Sequence, residues 1–132
     1  MNKKMLIISA TRKGFQLSEA LNATASLSSD LGNSPKFLIM GGYRYDSGEL
    51  ASELSIGIEL GHCEPVPEEL CEQYSQESFL IVDSNKAWLY KKPENDRCWQ
   101  GTLLGDWQQV ETIDDAPDGW SIMPDGTIWT AK

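Results

Sequence analysis

The chain has 132 residues, 40% of them apolar, with 11 Lys and Arg against 20 Asp and Glu and a formal charge of −9. That length suits one domain spanning 1–132, and the composition excludes a disordered tail. A pI near 4.5 argues against direct nucleic-acid binding, because a phosphate backbone selects a basic footprint.

Met1-Asn2-Lys3-Lys4 followed by Met5-Leu6-Ile7-Ile8 imitates a signal peptide, but Thr11-Arg12-Lys13 brings charge in too early for one. No segment approaches the roughly 20 apolar residues of a membrane helix. The odd set Cys63, Cys71 and Cys98 does not make a complete disulfide framework. The expectation is a cytoplasmic protein with reduced thiols.

Lys4–Ala10 is a short apolar run that predicts a buried strand. Leu17, Ala20, Leu21, Thr24, Leu27 and Leu31 recur at helical spacing, with Ser18 as a possible N-cap and Gly32-Asn33 as the stop. Lys36–Met40 predicts a second strand. Together these segments suggest a strand-helix-strand crossover, with parallel and antiparallel pairing of its two strands both left open.

Leu54, Ile56, Ile58 and Leu60 alternate with Ser55, Gly57 and Glu59, the pattern of a strand with one wet face. On that pattern Glu53 and Glu59 share the solvated side. Pro67 opens a short helix to about Tyr74, with Glu68 and Glu69 in its first turn. Ser78–Asp83 and Lys86–Lys91 flank Ser84-Asn85 as a hairpin, and Trp120–Met123 and Thr127–Thr130 flank Pro124-Asp125-Gly126 as another. The fold expectation is therefore α+β: an N-terminal strand-helix-strand unit, then a mostly antiparallel β meander with one short helix.

Catalytic signatures are scarce. His62, Cys63, Cys71 and Cys98 lack the close Cys-x2-Cys pairing that aims two donors at one zinc, so neither a metal nor a cofactor is expected. No Gly-x-Ser-x-Gly elbow, Walker loop or Gly-x-Gly-x-x-Gly occurs. Five tryptophans fall in the last third, where antiparallel strands usually spend them on the core.

Charge is the most uneven feature. Residues 1–44 hold six bases and two acids, whereas residues 45–85 hold ten acids and no Lys or Arg. A continuous acidic face there would steer a basic protein partner. The first expectation is thus a non-enzymatic interaction protein of inhibitor or immunity type. Asp46, Glu49, Glu53, Glu64, Glu68, Glu69 and Glu72 would form its face, with Tyr43 and Tyr74 as aromatic anchors. The alternative is a small anionic ligand, a nucleotide or sugar phosphate, held by Arg12, Lys13 and Arg44 beside Gly41 and Gly42 at the strand ends, in a binding protein or an enzyme.

Overall fold

The computed structural model describes residues 4–12, 14–60, 67–94, 98–116 and 118–132. In chain order the elements are β1 (Met5–Ser9), α1 (Leu17–Asp30), β2 (Lys36–Arg44), β3 (Leu50–Glu59), α2 (Pro67–Gln73), β4 (Ser78–Asp83), β5 (Lys86–Lys91), β6 (Gln100–Val110), β7 (Gly119–Ile122) and β8 (Ile128–Ala131), with a 3-10 turn at Ile113–Asp115.

The strands close into a barrel in the order β1-β3-β2-β7-β8-β6-β5-β4, and every recorded pairing is antiparallel. This corrects the expected α+β arrangement of a crossover unit followed by a meander. β1 and β2 do run in the same direction, but β3 lies between them and is antiparallel to both. The N-terminal strands are therefore staves of the barrel wall. Closure leaves no open edge along the ring, a liability that an open meander would have to cover.

β1 is apolar on both faces because it is buried on both. Ile7 points to the barrel interior with Ile39, Val82 and Ala87, where Met5, Phe37, Leu80 and Trp107 pack around them. Leu6 and Ile8 face outward with Ile56, Ile58 and Phe79, beneath Leu27 and Leu31 of the α1 end and Leu70 and Cys71 of α2. The same two-sided burial makes Ser55, Ile56, Gly57 and Ile58 all inaccessible, so β3 has no wet face along that stretch.

The helix α1 starts two residues earlier than Ser18 would dictate. Gln16 is its N-cap, and the Gln16 backbone N–H donates to Glu19 at 3.2 Å. Its apolar stripe is covered only in the second half: Leu27 is fully buried, whereas Leu17 and Leu21 are exposed. The two helices are tied together by Tyr74, whose hydroxyl reaches Asp30 and lies 2.8 Å from Ser26 Oγ, and by Gln73 Nε2, which donates to Asp30 at 2.9 Å.

Both expected hairpins form. Ser84 and Asn85 take φ of 53° and 64°, which suits a two-residue turn between antiparallel strands. Gly126 takes φ of 87° between β7 and β8. The strand the patterning does not reveal is β6. A register shift opposite Ala87 and Trp88 leaves Leu104 unpaired with β5, and such a bulge breaks the alternation by which a strand is recognised. No helix among the described residues is long and apolar enough to cross a membrane.

Candidate active site

Where β1 ends, the chain turns through Arg12 and Gly14 into α1, and the β2–β3 hairpin rises beside it. Between them lies a cavity of about 460 Å³, lined by Thr11, Arg12, Phe15, Met40, Tyr43, Tyr45 and Glu53 among others. A second cavity of about 300 Å³ lies toward the barrel interior, lined by Ser55, Asp118, Trp120 and Thr130, and again by Tyr43 and Glu53. Glu53 and Tyr43 belong to both.

The sheet register explains why Glu53 sits there. Ser9 pairs with Ser55 at the end of the β1–β3 ladder, and just beyond it the Thr11 hydroxyl comes within reach of the Glu53 carboxyl. On its other side Glu53 faces Gly41, which has no side chain to cover it. Burial holds the Glu53 carboxyl above its ordinary range, and the Thr11 hydroxyl within hydrogen-bond reach acts against this whenever its proton is turned toward the carboxylate.

Beside it, Tyr43 and Tyr45 meet edge-to-face with ring centroids 5.2 Å apart and hydroxyls 3.2 Å apart. The Tyr43 phenol is pushed up to about 12, first by its bond to Tyr45, then by burial, with the nearby Glu53 charge adding to it. The cavity thus presents one carboxylate, several aromatic rings, a thioether and, at its rim, a guanidinium. Carboxylate and aromatic faces together suit a cation that is also partly apolar.

Arg44 does not join Arg12. It is one residue beyond Tyr43 and so has the opposite strand parity, with its Nη2 donating to the Ile113 carbonyl at 2.7 Å. Its guanidinium lies over the Trp120 ring at 5.2 Å and 3.9 Å from Asp114. Gly41 and Gly42 line the interior cavity. Lys13 and Glu64 lie outside the described residues, as do His62 and Cys63. Cys71 is buried and Cys98 exposed.

The acidic residues are spread over separate elements. Asp46 and Glu49 sit at the tip of the β2–β3 hairpin, closed by Tyr45 N–H to the Glu49 carbonyl at 2.9 Å. Glu68, Glu69 and Glu72 are carried by α2, which packs on β1 and β4. Glu53 is turned into the cavity, and Tyr74 is engaged with Asp30 and Ser26.

Residues 6–132 match the model of the S-adenosylmethionine lyase family. The chain belongs to that family. No curated protein aligns with it. Membership in an enzyme family overturns the expectation of an inhibitor or immunity protein, because a lyase family is defined by bond breaking in a small molecule. The physical reason for the error is that net charge along a chain does not say where the charge is placed. Ten acids in 41 residues suggested a face, yet among those of them that the structure describes it is Glu53 that is set in a pocket and has its chemistry altered. The signal available in the sequence was Glu53 itself, inside a strand whose other residues, apart from Glu59 at its end, are apolar or small.

Proposed function

We propose that the protein breaks a carbon–sulfur bond of S-adenosylmethionine without using water, in the cavity shared by Arg12, Tyr43, Tyr45 and Glu53. The observation that carries this reading is Glu53: a largely buried carboxylate beside an aromatic pair, in a chain of the S-adenosylmethionine lyase family. The substrate's sulfonium is a permanent cation flanked by apolar carbons. An approaching cation favours the ionised carboxylate, so binding draws the proton off Glu53 and converts it to a counter-charge. The rings of Tyr43 and Tyr45 supply their negative faces to the same centre.

Breaking the bond sends its electron pair to sulfur, and the cation becomes a neutral thioether. A reaction that loses charge is helped when water is excluded, since water solvates the charged ground state best. The carbon left behind needs a new bond. Its neighbouring C–H groups are not acidic, whereas the substrate's own carboxylate can close a five-membered ring on it, an intramolecular displacement with high effective molarity. The products would be methylthioadenosine and homoserine lactone, with no net proton transfer. On this reading Glu53 holds the sulfonium and Arg12, at the rim, orients the substrate carboxylate.

The test is incubation of the purified protein with S-adenosylmethionine and chromatography of the products over time. Methylthioadenosine appearing together with lactone ahead of free homoserine is the expected result. Substrate recovered intact, or homoserine formed with no lactone precursor, would overturn the reading.

A further inference from the structure

Two hydroxyls and a carbonyl beside Glu53 leave little freedom for the two hydroxyl protons. Ser9 Oγ donates to the Leu54 carbonyl at 2.7 Å, and that carbonyl can only accept. Ser9 Oγ also accepts from the Thr11 backbone N–H at 3.1 Å and lies 2.8 Å from Thr11 Oγ1. A hydroxyl has one proton and two lone pairs. With its proton given to Leu54 and one lone pair given to the Thr11 N–H, Ser9 can meet the Thr11 hydroxyl only by accepting from it. In this arrangement Thr11 has no proton left for Glu53, whose carboxylate lies within reach of its hydroxyl.

We propose that Ser9 and Thr11 are positioning residues that set the charge of Glu53, Ser9 competing with the carboxylate for the single hydroxyl proton of Thr11. A neutral Glu53 completes a one-way chain, from its own O–H to Thr11, from Thr11 to Ser9 and from Ser9 to the Leu54 carbonyl. An ionised Glu53 requires Thr11 to turn its proton around. Ser9 must then either lose that contact or give up Leu54. Ionisation therefore costs a buried hydrogen bond, which the substrate's cation offsets when it binds. This rests on the reading of Glu53 as the sulfonium's counter-charge. The other groups facing Glu53 are Tyr43 and Tyr45 from β2, Arg12 at the end of the β1 segment and Asp118 from the loop before β7.

The experiment is an NMR titration of the Glu53 side-chain carboxyl in the ligand-free protein, comparing wild type with Ser9→Ala, Thr11→Val and Thr11→Ser. Ser9→Ala frees the Thr11 proton and should lower the Glu53 midpoint by about one pH unit. Thr11→Val removes the hydroxyl that can turn its proton toward the ionised carboxylate and should raise it, whereas Thr11→Ser should leave it near the wild-type value. Midpoints that move in the same direction in Ser9→Ala and Thr11→Val, or that stay put in Ser9→Ala, overturn the proposal. Should Ser9→Ala not fold, Ser9→Cys replaces it, since a thiol is a poor acceptor and the same downward shift is expected. No substrate is present, so the outcome is independent of turnover. Opposite shifts in a protein that leaves S-adenosylmethionine intact would uphold the proton competition and reject the lyase reading.

Discussion

Gly42 and Trp120 stand opposite one another across the β2–β7 ladder, and the indole occupies the space where a Cβ at 42 would be. The ring is buried, with Arg44 laid over it. The absence of a side chain at one position thus fixes the seat of an aromatic ring at the other, along the wall of the interior cavity.

Gly42→Ala should therefore push Trp120 off its seat. Overpacking of this kind costs about 1–3 kcal/mol, read as a lower midpoint in urea at unchanged slope. Gly14→Ala at the start of α1 meets no neighbour within 4 Å, though its φ of 90° adds backbone strain. A smaller cost at 42 than at 14 would contradict the packing argument.

Glu53→Gln should separate activity from stability. The folded protein holds this carboxyl above its ordinary value of 4.5, so the folded state binds the proton more tightly than the unfolded state. The resulting penalty is absent below 4.5, sets in as pH rises through the folded midpoint and is full above it. Glutamine removes it. The Tm of the variant should accordingly exceed wild type at pH 8 and converge with it near pH 4. In the same variant kcat/KM for S-adenosylmethionine should fall by at least about 30-fold, the cost of removing one partner of a buried charge pair. Equal activity would leave Glu53 without a role in turnover.

Tyr43 is expected to act through its ring. Tyr43→Phe keeps the face and should stay within about threefold of wild type in KM. Tyr43→Leu removes it and should raise KM by about 3- to 30-fold, the range a desolvated cation–ring contact supports. Equal KM values for the two variants would count against a cation at this face.

The thiols should differ sharply in reactivity. Burial pushes the Cys71 thiol up to about 12, with Glu68 adding to the effect, so almost none is thiolate at neutral pH. Iodoacetamide followed by peptide mapping should label exposed Cys98 in the native protein and Cys71 only after denaturation. Rapid native labelling of Cys71 would show that α2 opens readily from the barrel.

The sequence alone determined those features that depend on near neighbours. The apolar run at Lys4–Ala10 marked a buried strand, the spacing from Leu17 to Leu31 marked α1, and Ser84-Asn85 and Pro124-Asp125-Gly126 marked their turns, because backbone preference and side-chain period act within a few residues. Only the tertiary structure decided that the strands close into a barrel, since closure depends on pairings such as Met40 with Ile122 that local pattern does not encode. It likewise decided which of ten central acids matters. Glu53 resembles Glu59 in sequence, but the fold sets it opposite Gly41 and beside Thr11 in a cavity, while Glu59 ends the strand at an exposed position. Burial and neighbouring charge depend on distance in space, so the altered chemistry of Glu53 exists only once residues 11, 41 and 53 have been brought together.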